Sequence, residues 1–151
     1  MKRRFKFRLE RVLEAKRLAE RRQQHELALL VDALMRTRQR RQQTLGNVEQ
    51  LQQRVGQQLA ADTCSVHELM LVRGEIDAQQ AVAEGLAREI AWLEEIVARE
   101  RGKLQELARA RLVLERLRER AYADYLLALR RAEAAVLDDI RRPDVAAIWG
   151  S

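Results

Sequence analysis

Cysteine, proline and aromatic residues are nearly missing from this chain, and each gap excludes something. Cys64 is the only cysteine, so no internal disulfide can form and nothing points to an oxidising compartment. Pro143 is the only proline, which leaves everything before it free of the residue that breaks helices. Aromatic side chains are 4% of the sequence, too few for a β-rich fold. No stretch approaches the roughly 20 apolar residues of a membrane span. The opening MKRRFKF has the charge of a signal-peptide n-region, but no apolar segment follows it. The expectation is a soluble, cytoplasmic protein without a transmembrane segment.

The residues that carry chemistry are as sparse. His25 and His67 have no second histidine or cysteine at ligand spacing, so no metal site is expected. Cys64 has no histidine beside it other than His67 across the Ser65-Val66 step, a poor arrangement for nucleophilic catalysis. No phosphate-binding loop, dinucleotide fingerprint or nucleophile elbow occurs. Neighbouring acids such as Glu94-Glu95 and Asp138-Asp139 point to different faces of a helix. Neither an enzyme nor a cofactor is expected.

Arginine, leucine, alanine, glutamate and glutamine fill the space, with charged residues at 34%. These side chains lose least on entering a helix, and the mixture belongs to long helices or coiled coil. The formal charge is +6 and the pI about 10.2, which favours acidic partners. Much of the excess lies within residues 1–22, and a second basic run, RTRQRR, spans 36–41.

Periodicity divides the chain into two helical arms. In the first, Leu45, Val48, Val55 and Leu59 step by threes and fours with Gln52 filling the missing place. Traced backwards, this seam meets Leu34, Val31 and Leu27 but crosses Arg38 and Arg41. The stretch ADTCSVHEL then breaks the pattern, and Ser65-x-x-Glu68 fits a capping box that opens a second helix. From Leu69 through Val72, Ile76, Gln79, Ala83, Leu86, Ile90, Leu93, Val97, Glu100, Leu104 and Leu107 the steps alternate over five heptads. Near Arg111 the apolar phase slips, as in a stutter, and resumes through Leu114, Leu117, Ala121, Tyr125, Leu129, Ala132, Val136 and Ile140. Arg141, Arg142 and Pro143 suit a helix end.

The spacing therefore predicts an all-α fold: a single coiled-coil domain over 1–151 built as an antiparallel hairpin. Its arms are near 8–60 and 66–142, its turn at 61–65 and its tail at 143–151. At about 1.5 Å per residue each arm is some 75 Å or longer. With that turn, Leu9 faces about Glu119, and residues 120–140 project past the basic start or fold back over it. Glycines inside the arms, Gly74 above all, mark soft spots where a local break is expected. Trp92 reads as packing beside the seam, and Trp149 as a short docking element or a loose end.

The basic runs leave a solvated helix face, a membrane-surface helix and a nucleic-acid grip open. A zipper-type DNA binder needs a basic region continuous with a parallel zipper, and here a turn interrupts the seam. The stretch F5-K-F-R-L-E-R-V-L13 resembles the opening of the FliJ family of flagellar export proteins, often aromatic-x-aromatic-x-L-x-x-[VL]-L. The segments L114-E-R-L-R-E-R-A-Y122 and A132-E-A-A-V-L-D-D-I140 resemble that family's late helix and acidic-hydrophobic ending, although the usual lysine- and glutamine-rich closing segment is replaced.

The resemblance implies a non-enzymatic antiparallel coiled coil, similar to the central stalk of rotary ATPases, in the flagellar type III export apparatus. Its implied partners are the hexameric export ATPase, the membrane export gate protein and export chaperones, with no nucleic acid among them. Its implied place is the cytoplasmic face of the inner membrane at the flagellar base. On that reading Phe5, Phe7, Arg8, Leu9, Arg11 and Val12 are expected to bind the ATPase, with Phe5, Leu9 and Val12 on one helical stripe. Leu69, Val72 and Ile76, just past the turn, are expected to bind the export gate. The stalk protein of a virulence type III secretion system, a coiled-coil scaffold and a nucleic-acid-binding protein remain as alternatives.

Overall fold

In a computed structural model, residues 4–63 and 65–142 are described. Cys64, Pro143 and Trp149, which the sequence singles out, lie outside the described residues. Two helices, α1 (Glu10–Ala60) and α2 (Val66–Arg141), form an antiparallel hairpin without strands among the described residues. The chain divides into two compact units, one of Met1–Glu20 with Glu106–Ser151 and one of Arg21–Gln105.

The connection between the helices is set by local chemistry. At the end of α1 the Thr63 amide donates to the Gln58 carbonyl and the Asp62 amide to the Leu59 carbonyl, both at 3.3 Å. These two bonds and the positive φ of Asp62, 53°, make a Schellman cap. Asp62 occupies the left-handed position that glycine most often fills, and aspartate tolerates it better than most side chains. The next helix opens as its capping residues require: the Glu68 amide donates to Ser65 Oγ at 3.2 Å and the Leu69 amide to the Ser65 carbonyl at 3.1 Å.

The strongest sequence signal is also the clearest structural one. Every α2 position from Leu69 to Leu107 on the alternating path is buried or half-buried, with Ala83, Leu86, Leu93 and Val97 fully inside. In the unit of Arg21–Gln105, Leu34 packs against Leu93 and Val97, with Leu27, Leu30, Val31 and Ile90 around them.

Three expectations need correction. The inner face of α1 is turned from the apolar reading: Leu30, Thr37, Thr44, Leu51 and Gln58 lie inward, while Arg38, Leu45, Gln52 and Leu59 are exposed. Thr37 and Thr44 can sit on an inner face because each hydroxyl donates to the carbonyl four residues back, to Ala33 and Arg40, at 2.9 Å. In α2 there is no stutter at Arg111. The alternating path continues through Arg111, Leu114, Arg118, Ala121 and Tyr125, all partly covered, and Leu117 is 41% exposed. Charged side chains hold inner positions there because opposite charges meet them.

The third correction concerns Gly74, where α2 runs through without a break. A Cβ added at Gly74 meets nothing within 4 Å. Gly74→Ala should therefore raise stability by up to about 1 kcal/mol, read as a higher thermal midpoint with unchanged helicity. Ser65→Ala should lower it by about 1 kcal/mol in the same measurement.

Candidate functional site

From Arg4 to Leu9 the basic start of the chain is not helical. Residues 4–7 are irregular, a turn follows, and α1 begins only at Glu10, whose carboxylate suits a helix N-terminus. Exposure alternates along this arm: Arg4, Lys6 and Arg8 face solvent while Phe5 and Phe7 are half-covered. The helical stripe of Phe5, Leu9 and Val12 expected from the sequence does not form. Val12 is 44% exposed, and the side chain that enters the core is Leu13, at 0%.

Phe5 instead closes an aromatic clasp. Its ring meets Tyr122 edge-on at 5.2 Å and Tyr125 at 5.5 Å, and the two tyrosines stack at 6.3 Å. The Arg118 guanidinium lies 5.7 Å from the Phe5 centroid, within cation–π range, while donating to Glu10 at 2.9 Å. Each aromatic pair is worth about 0.5–1.5 kcal/mol beyond its buried area. Sequence reading placed Tyr125 on the seam but missed Arg118 and the role of Tyr122. An alternating path carried across charged positions is the signal that finds Arg118.

Below the clasp, charges replace the apolar seam. Arg111 grips Glu20 with Nε and with Nη2, the latter at 3.4 Å, and donates through Nη1 to Glu115 at 2.9 Å. Arg17 reaches Glu115 at 3.3 Å. Glu20 is only 8% exposed, and a carboxylate so enclosed needs these partners. Burial pushes the Glu115 carboxyl up, but bonds from Arg111 and Arg17 outweigh it and hold the group below its ordinary value. The Glu20 and Glu115 bonds hold the Arg111 guanidinium above its own.

In the other unit, Gln23 donates to the Glu100 carboxylate and, at 3.1 Å, to its carbonyl. That bond first, and then Lys103, hold the Glu100 carboxyl below its ordinary value.

The expected ATPase-contact residues are only partly brought together. Phe5, Phe7, Arg8 and Arg11 line one open groove of 590 Å³ with Glu10 and Arg118, but Leu9 and Val12 do not line it. Past the clasp α2 continues with no other described segment beside it. Residues 131–142 are all exposed, leaving Val136, Leu137 and Ile140 at 58%, 52% and 73%. In the unit of Arg21–Gln105, Leu69, Val72 and Ile76 are half-buried on the inner path. The apolar side chains presented to solvent there are their neighbours Val66, Met70 and Leu71, at 73%, 70% and 62%, which sequence reading did not single out. Among the described residues no group of acids, histidines and cysteines could hold a metal, and no helix is long and apolar enough to cross a membrane.

The lowered carboxyls carry a pH signature. A carboxyl whose folded pKa is depressed adds stability above its unfolded pKa, about 4.3 for glutamate, and loses it as pH falls through the folded value. Thermal midpoints should drop as pH is taken below about 4. Arg111→Met, which removes one of the two arginines on Glu115, should be less stable at neutral pH and should flatten that drop. Calorimetry of both proteins across the acid range checks this.

A family model described as "Flagellar FliJ protein" matches residues 5–142, nearly the whole chain. No curated protein and no solved structure matches it.

Proposed function

The chain belongs to the flagellar FliJ protein family, and is to that extent a coiled-coil protein of flagellar export; from that premise we propose that it works as a non-enzymatic stalk. In this reading it inserts in the ring of the export ATPase, couples that ring to the membrane export gate, and takes export chaperones as further partners. It acts at the cytoplasmic face of the membrane at the flagellar base. The virulence-type stalk is the second reading, and the flagellar family match weighs against it.

The observation that carries the proposal is the clasped basic arm. A fixed segment presents Arg4, Lys6, Arg8 and Arg11 to solvent while Phe5 anchors it to Tyr122 and Tyr125. Pre-ordered cations suit an acidic collar, where they steer encounter and orientation more than they add affinity. Exposed Val12 and half-covered Phe7 supply apolar contact, and Leu9 and Phe5 hold the arm in place. At the turn, Leu69, Val72 and Ile76 close the seam and, with exposed Val66 and Met70, form the proposed gate contact.

Two variants separate anchoring from docking. Arg8→Glu with Arg11→Glu should weaken binding and stimulation of the purified export ATPase at least about tenfold, with helicity and thermal midpoint unchanged. Phe5→Ala should lower the thermal midpoint, by about 1–3 kcal/mol of stability, and weaken ATPase binding only in step with that loss. If the charge reversal leaves ATPase binding intact, the arm is a structural clasp only and the docking assignment is wrong.

A further inference from the structure

The two flanks of the hairpin are not equivalent in the unit of Arg21–Gln105. In an antiparallel pair, residues that follow an inner position on one helix face residues that follow an inner position on the other. Those that precede inner positions likewise share the opposite flank. Arg38 follows inner Thr37 and Glu94 follows inner Leu93, and their ion pair at 2.8 Å closes the first flank.

Around Leu29 and Trp92 the second flank shows no cross-helix ion pair among the described residues. It carries Leu29, before Leu30, and Trp92, before Leu93, at 59% and 60% exposure. Half-buried Ala33 and Ile96 lie on the same flank. An indole 60% exposed lies mostly outside the core, so packing beside the seam accounts for only part of Trp92.

Around Leu29 and Trp92 the charges on that flank are mostly of one sign. Arg22, Arg36, Arg99 and Lys103 precede inner positions, Arg40 precedes the exposed Arg41 on the same path, and all five are exposed, against Glu26 and Glu89; nearer the turn the flank carries Arg54, Glu68 and Glu75. Arg36 spends part of its charge on Asp32, at 2.9 Å along its own helix. Tryptophan and arginine are the side chains most enriched at binding hot spots. A groove between two packed helices accepts a third helix along its length.

We propose that this flank is a docking groove for an acidic amphipathic helix of a partner protein. The partner's apolar stripe lies on Leu29, Ala33, Ile96 and Trp92, and its acidic edges meet the arginines. Charge complementarity selects this occupant. A basic helix is repelled, and a continuous phosphate backbone meets Glu26 and Glu89. The inference does not rest on the export reading.

The test uses the full chain with Trp149→Phe, so that Trp92 is the single indole. The probe is a synthetic helix of about three heptads, leucine on its stripe and glutamate on its edges, compared with a lysine-edged counterpart. The glutamate peptide should shift Trp92 emission to shorter wavelength, saturably, and bind at least about tenfold tighter than the lysine peptide. Arg36→Glu with Arg40→Glu should erase or invert that preference. Leu29→Lys should weaken binding about tenfold, whereas Met35→Ala, exposed on the opposite flank, should change nothing. Circular dichroism melts of these variants should stay close to the parent's, since each side chain faces solvent and the lost Asp32–Arg36 pair is an exposed one of small effect. Equal binding of the two peptides, unmoved Trp92 emission, or stronger binding by a single-stranded oligonucleotide that the glutamate peptide cannot displace would overturn the proposal.

Discussion

Arg111 and Glu20 meet where a coiled coil ordinarily places leucines, and the architecture of their unit depends on that meeting. Apolar seams tolerate slippage, because one leucine replaces another at little cost. A guanidinium and a nearly enclosed carboxylate do not: shifting the helices by one turn leaves each without its partner. Arg17, Glu115, Glu10 and Arg118 extend the same ladder. These exposed or half-exposed pairs each add little stability. Together they select one alignment, the best-attested use of polar groups in a coiled coil.

That alignment has consequences at the start of the chain. It brings Tyr122 and Tyr125 under Phe5 and places Arg118 between a carboxylate and an aromatic face. The basic arm is thereby held without being helical, its apolar teeth turned inward and its cations outward. Since α2 runs on to Arg141, the same end also exposes Val136, Leu137 and Ile140. In this way a register decision made by charges determines which surfaces are free to meet a partner.

The unit of Arg21–Gln105 solves the same problem differently. Its core is apolar around Leu34, Leu93 and Val97, and one ion pair covers one flank. The other flank keeps an open tryptophan among arginines. Under the docking proposal, that asymmetry gives the pair a direction in which to bind.

Helix content, the capped turn at Ser65 and the α2 path from Leu69 to Leu107 were legible in the sequence, because intrinsic propensity, capping and apolar spacing are local properties. Family membership was legible as well, in FKFRLERVL and the late helix. The inner face of α1, the continuity of α2 through Arg111 and Arg118, and the irregular arm before Glu10 were settled only by the tertiary structure. The physical reason is the same in each case. A threonine, an arginine or a phenylalanine has no fixed inside or outside of its own. Thr37 goes inward because the Ala33 carbonyl satisfies its hydroxyl, Arg111 because Glu20 neutralises it, and Phe5 leaves the helix because two tyrosines, more than a hundred residues away in the chain, offer its ring a better place.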